Sequence, residues 1–335
     1  MVDITLLKEW FLEEKRDLPW RKENPPYEIW ISEIMLQQTQ VAVVVDYFER
    51  WMKKFPTLGH LASASLEEVM KMWEGLGYYS RARFIHETAR IIERDYQGIF
   101  PSKKEELEKL KGFGPYTVGA VLSFAFHQRS VAVDGNVIRV ISRLFHIEED
   151  VSKRIIFEAI VDSILPEEEP WVMMEALIEL GAQVCRKVPL CDQCPLQNGC
   201  LSYERGDAHL FPIRKKKSKA ERLYRDVAVI IYKDSVLLRK GKVGRIMEGL
   251  YEFPYVERGK SWDFDLKLCK EKELTVVQHG FTRFIATLYP VLYRVEKKIE
   301  IQEYEWLTQS EMLKCSFSSG HKRILKEVLR ENFTH

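Results

Sequence analysis

Two acids, one glycine-rich turn and four thiols are the residues whose types and spacing could do chemistry. Glu33 stands in an otherwise apolar stretch, Ile29–Val45, and at helical spacing Trp30, Glu33, Gln37 and Gln40 share a face. A carboxyl and two amides on such a face need either a satisfied structural network or a function, because burying polar groups unpaired costs free energy. Residues 110–120, LKGFGPYTVGA, predict a helix ending at Lys111, unusual backbone angles at Gly112 and Gly114, and a new helix opening at Pro115. That is a helix–hairpin–helix pattern, and amides exposed at such a turn suit an anion such as a DNA phosphate, although a plain helix–helix turn carries the same punctuation. Asp134 follows Tyr116 by 18 residues, in VAVDGNVIRV, where it would cap the next helix or serve chemistry. Cys185, Cys191, Cys194 and Cys200 fall within 16 residues, spaced C-x5-C-x2-C-x5-C. A chain this long needs no disulfide staple, so clustered thiols read as metal ligands, for zinc or for an iron–sulfur cluster. Cys269 and Cys315 are isolated.

Elements able to hold these groups are legible in the pattern. A length of 335 residues suggests about two domains at roughly 150 residues each. Residues 1–211 read as all-α, with apolar three- and four-residue spacing in 6–12, 29–51, 66–72, 82–92, 107–110, 118–126, 136–145, 155–165 and 171–184, punctuated by Gly and Pro. Ser65 before Leu66-Glu67-Glu68 marks a capping box. Residues 212–222, PIRKKKSKAER, lack apolar periodicity and read as a basic linker. Residues 223–335 read as α+β, with strands expected at 227–232, 236–239, 274–277, 284–293 and 299–305 and a closing helix at 319–331. Lys plus Arg is 51 against Asp plus Glu 50, a net charge of +1, which excludes a uniformly basic polynucleotide-coating protein and a strongly acidic disordered chain. No apolar run approaches the roughly 18 residues of a membrane helix, and an N-terminus acidic from position 3 is unlike a signal or transit peptide. The expected setting is the cytoplasm of a bacterium, at the nucleoid through DNA, with no membrane association.

Helix–hairpin–helix, apolar helix, Asp and then four cysteines is an order that resembles the endonuclease III-like DNA glycosylases. Within that superfamily the chain resembles the adenine DNA glycosylases of the MutY type, through DLPWR (17–21), SEIMLQQTQV (32–41), WEGLGYYSRAR (73–83), LKGFGPYTVGA, VDGNVIRV (133–140), EALIELGAQVC (175–185) and the cysteine set. The resemblance implies a multidomain chain: an all-α helix–hairpin–helix glycosylase domain with an iron–sulfur cluster loop at 185–200, followed by a MutT-like (Nudix-type) α+β domain. It implies that Glu33, kept protonated by burial, donates to adenine N7, while ionised Asp134 stabilises positive charge at C1′ of the sugar. Asn136 would support the sugar site. Tyr116 stands where strand-cutting members carry a Schiff-base lysine, so base removal without efficient strand cleavage is implied. Arg21, Trp20, Glu175 and Ile178 would line the pocket for the flipped-out adenine, although Arg21 and Glu175 could equally form an ordinary salt bridge. Gln38 and Tyr78 would fill the vacated stack, and Gly112, Gly114 and Thr117 would meet DNA phosphate. The four cysteines would hold a [4Fe–4S] cluster, across a first gap of five residues where the family usually has six.

In the C-terminal part GLYEFP (249–254) resembles the MutT-like domain, while the Glu-rich pyrophosphohydrolase helix is absent from the segment after Pro254, so phosphohydrolase activity is not expected. Where the family often has Phe-Ser-His against 8-oxoguanine, this chain reads Phe281-Thr282-Arg283, leaving Thr282 as the hydroxyl able to touch the opposite base. Arg81, Arg83, Lys111, Arg186, Lys187 and the 214–219 run are the cations expected at DNA. The implied partner is double-stranded DNA containing A opposite 8-oxoguanine or G, bound by a monomer. A thymine or uracil mismatch glycosylase on the same scaffold and an inert lesion-binding protein are the rival readings; Glu33 with Glu175 and the MutT-like half argue against the first, and retention of both Glu33 and Asp134 against the second.

Overall fold

The computed structural model describes residues 4–23, 25–215, 220–242, 244, 246–262, 268–298 and 300–332. The chain divides into two compact units that do not follow chain order: Met1–Ala64 with Phe84–Lys216, and Ser65–Arg83 with Lys217–His335. Among the described residues no helix is long and apolar enough to cross a membrane.

The first unit is helical: α1 (Thr5–Glu14), α2 (Pro26–Leu36), α3 (Val41–Lys54) and α4 (Leu58–Ser63), then, beyond α5 (Leu66–Trp73) of the other unit, α6 (Ser80–Asp95), which begins in that unit, α7 (Lys104–Leu107), α8 (Pro115–Phe124), α9 (Gly135–Leu144), α10 (Arg154–Ile164), α11 (Pro170–Gln183) and α12 (Leu201–Glu204). The single helix expected over 29–51 is two. Leu36 ends α2, Gln38 takes a left-handed φ of 60°, and Gln40 caps α3. Four consecutive polar residues, Gln37 to Gln40, offer this stretch nothing to bury, so the chain turns there. Gln37 and Gln40 therefore do not share a helical face with Glu33.

At the helix–hairpin–helix, Gly112 has φ 82°, and Pro115 occupies the first turn of α8, where its missing N–H leaves no donor unpaired. Close packing of α9 on α11 depends on Gly181, where a Cβ would meet Asn136 Cβ at 2.7 Å and the Asn136 carbonyl oxygen at 2.9 Å. The start of α9, with Asp134 and Asn136, is seated through that contact.

The second unit is a mixed sheet with helices. Its strands are β1 (Glu221–Tyr232), β2 (Ser235–Lys240), β3 (Tyr251–Glu252), β4 (Tyr255–Glu257), β5 (Cys269–Glu273), β6 (Val277–Phe281), β7 (Phe284–Arg294) and β8 (Glu305–Thr308), followed by α13 (Gln309–Met312) and α14 (Ser319–Asn332). β1 and β7 pair in parallel from Glu221↔Phe284 to Ile231↔Arg294, and the remaining pairings are antiparallel. One face of the sheet buries Val227, Val229, Ile231 and Leu288 against Ile324, Leu325 and Val328 of α14. Three expectations need correction. The linker ends earlier, since β1 already begins at Glu221. The strand expected at 274–277 is a connection as far as Val276, and Val277 opens β6: Leu274 is buried, while the Thr275 amide and hydroxyl are taken by Glu327. The strand expected at 299–305 starts only at Glu305, after a turn with Glu303 at φ 73°, and its first residue lies outside the described residues.

Segment 65–83 joins the sheet through its polar side chains. The Ser65–Glu68 capping box opens α5. Lys71 donates to the Cys315 carbonyl at 2.8 Å, buried Glu74 accepts from the Phe317 amide at 3.0 Å and from Lys322 at 2.6 Å, and the Tyr79 hydroxyl donates to the Phe317 carbonyl at 3.2 Å.

Candidate active site

A cleft of about 480 Å³ opens in the first unit, lined by Trp20, Arg21, Glu33, Gln38, Tyr116, Asp134, Asn136, Glu175 and Ile178 among others. The two acids, the hairpin tyrosine and the expected base-pocket residues thus meet in one place. Glu33 projects from α2, which is buried around it at Ile29, Trp30, Ile31, Ile34 and Met35. The Tyr116 hydroxyl, at the first turn of α8, donates to Glu33 Oε2 at 2.6 Å. Burial, reinforced by the Asp134 and Glu175 charges, pushes the Glu33 carboxyl up to about 7 against the pull of the Tyr116 hydrogen bond. Burial and the neighbouring carboxyls likewise hold the Tyr116 phenol well above its ordinary range, so it stays neutral.

Asp134 is the N-cap of α9. Its Oδ1 accepts from the amides of Asn136 and Val137, both at 2.8 Å, and its Oδ2 accepts from Asn136 Nδ2 at 2.8 Å. Burial raises the Asp134 carboxyl, but these three N–H donors all favour the anion. Glu33 receives one hydroxyl donor and Asp134 three N–H donors, so of the two neighbouring acids Glu33 is the one whose surroundings favour the proton. Behind Asn136 stands Arg139, which sequence reasoning missed: it donates to Asn136 Oδ1 at 2.8 Å, to the Gly181 carbonyl at 2.6 Å and to the Cys185 carbonyl at 2.6 Å. Its place one turn beyond Asn136 on α9 was the available signal.

Arg21 and Glu175 form an ion pair at 3.0 Å, each side chain only 16% exposed, at the cleft wall rather than on an open surface. Burial raises the Glu175 carboxyl, partly offset by Arg21. Trp20 is buried edge-on against Phe48, and Ile178 lines the cleft from α11. Glu179, one turn beyond Glu175, is fully buried and bonds both Arg16 and Arg21; the sequence signal was its i, i+4 spacing from Glu175. No lysine lines the cleft among the described residues.

Other expected residues fall elsewhere. Tyr78 and Thr282 belong to the second unit. Tyr78 is exposed with φ 48°, and Thr282, φ 49°, is the first residue of the two-residue turn between β6 and β7. At the hairpin, Gly112 and Gly114 are exposed, but Thr117 is 1% exposed and its hydroxyl accepts from Gln37, so that side chain does not face a phosphate. Arg81, expected among the DNA-facing cations, is buried and donates to the carbonyls of Leu76 and Gly77, because the tight turn before α6 leaves those carbonyls without helical partners. Arg83 is tied to Glu248 and Lys111 to Glu87. Arg186 and Lys187 are exposed, and residues 216–219 of the basic run lie outside the described residues.

All four clustered cysteines are free thiols, and together they line one small cavity of about 30 Å³ with Arg143, Leu190 and Tyr203. Among the described residues no three His, Cys, Asp or Glu side chains converge tightly enough to share one metal ion. The five-residue first gap is accommodated by a turn in which Arg186 and Leu190 both donate to the Val184 carbonyl. Buried Arg143 fastens it, meeting Cys185 Sγ at 3.4 Å and the carbonyls of Arg186 at 2.6 Å and Lys187 at 3.2 Å.

The family model of HhH-GPD superfamily base excision DNA repair proteins matches residues 31–166, and that of the NUDIX domain matches residues 226–327. An adenine DNA glycosylase of Buchnera aphidicola subsp. Baizongia pistaciae is 35% identical over 84% of this chain and 83% of its own length. The chain belongs to the adenine DNA glycosylase family. The family's member from Rattus norvegicus is 46% identical over 59% of this chain, which spans about two fifths of that relative's length, 41%. The same share holds for the relatives from mouse, 41%, and human, 39%. Among solved structures, a thermostable thymine-DNA glycosylase superposes with TM-score 0.56 at 26% identity, covering 60% of this chain and 95% of its own. Endonuclease III in a non-covalent DNA complex gives TM-score 0.53 at 27% identity, covering 62% and 99%. The helical glycosylase scaffold and the Nudix-type α+β domain expected from the sequence are both present, the latter built on a mixed sheet.

Proposed function

We propose that this protein hydrolyses the N-glycosidic bond of adenine mispaired with 8-oxoguanine or guanine in duplex DNA. The observation that carries the reading is the pairing of a proton-holding Glu33 with an N–H-stabilised Asp134 in one cleft, walled by Arg21 and Glu175. The base must leave the stack to enter. Glu33, protonated near neutral pH, donates to adenine N7 and makes the base a leaving group. Asp134, kept anionic by the Asn136 and Val137 donors, stabilises the positive charge that develops at C1′, as in glycoside hydrolysis with paired carboxylates. Tyr116 holds the Glu33 carboxyl in place. Glu175 accepts from the exocyclic amine, and Trp20 and Ile178 supply apolar walls. With a tyrosine at the hairpin and, among the described residues, no lysine lining the cleft, Schiff-base formation there is weak and efficient strand scission needs added base.

The four cysteines are assigned to a [4Fe–4S] cluster. Four thiols lining one cavity match the four cysteinate ligands such a cluster takes, and the group would act as a structural tie at the loop and carry redox capability. Gly112 and Gly114 are assigned to a DNA phosphate, Gln38 and Tyr78 to the vacated stack, and Thr282 to the opposite base. The test is incubation with duplexes bearing A, T or U opposite 8-oxoguanine or G, followed by alkali. Cleavage confined to A-bearing strands is expected; cleavage at T or U would support the mismatch-glycosylase rival, and none at all an inert binder.

A further inference from the structure

Arg21 is held on three sides. Its Nε meets Glu175 Oε2 at 3.0 Å, its Nη1 donates to the Arg16 carbonyl at 3.2 Å, and its Nη2 donates to Glu179 Oε2 at 2.8 Å. Glu179 is more heavily engaged still. It also accepts from Arg16 Nε at 2.5 Å, Arg16 Nη2 at 3.0 Å and Gln183 Nε2 at 2.8 Å, with its side chain fully buried. One buried carboxylate thus answers two guanidinium groups, while Arg21 meets Glu175 from Nε, both of its Nη atoms donating elsewhere.

A guanidinium is a fork that takes both oxygens of a carboxylate when nothing else competes for its donors. We propose that Glu179 is a positioning residue for base selectivity: by claiming one edge of Arg21 it stops that arginine from closing on Glu175 with both arms, and so leaves Glu175 one oxygen for the exocyclic amine of adenine. The inference rests on the adenine-removal reading. It adds that the selectivity of the pocket is set from one turn further along α11, by a residue that does not itself touch the base. Without the Glu179 charge, Arg16 and Arg21 share Glu175 as their remaining carboxylate, and the amine loses its acceptor.

The measurement is single-turnover base release from duplexes that differ only in carrying adenine or purine, which lacks the 6-amino group, opposite the same partner base. Wild type should favour adenine. Glu179→Gln should lower the adenine-to-purine rate ratio by about ten- to a hundredfold, the worth of a hydrogen bond to a charged group. Glu175→Gln should lower it similarly, and Glu179→Asp, with the charge withdrawn by one methylene, should fall between. A purely structural role predicts instead that both rates drop together at constant ratio, and that result overturns the proposal. Should Glu179→Gln not fold, Glu179→Asp decides alone, an unchanged ratio counting against the proposal. Failure of the wild-type protein to release adenine would remove the underlying reading; a normal wild-type preference with an unaltered variant ratio would remove only the role of Glu179.

Discussion

Replacing Glu33 by Gln should make the stability of the DNA-free protein less sensitive to a rise from acidic to neutral pH while abolishing its activity. The folded protein holds the Glu33 carboxyl up to about 7, from an ordinary 4.5. Between those values the folded chain binds a proton that the unfolded chain has lost, so the wild type is best off below about 4.5 and loses stability as pH climbs through 7. At about 1.4 kcal/mol for each tenfold change in proton affinity, the loss reaches about 3 kcal/mol by pH 8. An amide has no proton to give up, and its oxygen can still accept from Tyr116. The stability difference between variant and wild type, read from urea midpoints at a series of pH values, should therefore move in favour of the variant by up to about 3 kcal/mol from pH 5 to pH 8. Groups that titrate alike in both proteins cancel in that difference. Base release by the wild type should in turn fall about tenfold per pH unit above 7, and the variant should lose at least about a hundredfold at every pH. Parallel stability curves from pH 5 to pH 8 would refute the claim that burial stores a proton on Glu33.

Asp134→Asn removes the anion but keeps the cap, and single-turnover adenine release should fall by about 10² or more with near-normal DNA affinity, checked by gel shift. Tyr116→Lys should gain borohydride-trappable adduct with DNA, which the wild type forms only weakly; efficient wild-type trapping would mean that another amine reaches the sugar. Purified protein should be yellow-brown with about four irons per chain, and a colourless, fully active preparation with one zinc would overturn the cluster assignment. Thr282→Ala should reduce the affinity ratio for duplexes carrying 8-oxoguanine over G by about two- to tenfold at fixed salt, the worth of one neutral hydrogen bond. An unchanged ratio would remove Thr282 from opposite-base reading.

The site was legible where chemistry leaves a local trace. Glu33 was a carboxyl in an apolar helix, Asp134 an acid at a helix start, and the cysteines clustered thiols. What escaped were residues whose importance is created by tertiary contact. Arg139 and Glu179 look like ordinary charges on amphipathic helices, and only the packing of α9 on α11 brings the Gly181 and Cys185 carbonyls to the first, while only the approach of the 16–21 segment to α11 gives the second its two arginines. Conversely, Arg81 and Thr117 have polar types suited to DNA, whereas carbonyls at 76–77 that lack helical partners and the Gln37 amide draw them inward. The break at 37–40 was missed for a related reason: periodicity on both sides was helical, and it was a left-handed Gln38 that separated two helices.

The membership of segment 65–83 in the sheet-bearing unit bears on how this chain can be made. During synthesis that segment leaves the ribosome well before Phe317 and Lys322, the residues that pair with its Glu74. Until they arrive, a carboxylate destined for burial lacks two of its donors and keeps Lys71 of its own segment, at 3.1 Å, while the α5 face that will meet strand and loop is exposed to whatever is nearby. Any fragment ending near residue 215 is permanently in that condition. Such a fragment is therefore not a clean excision of one unit but a chain still carrying a severed part of the other, so a loss of activity in it would not by itself mean that the sheet contacts DNA. A cleaner dissection leaves the chain whole and alters Thr282 in place.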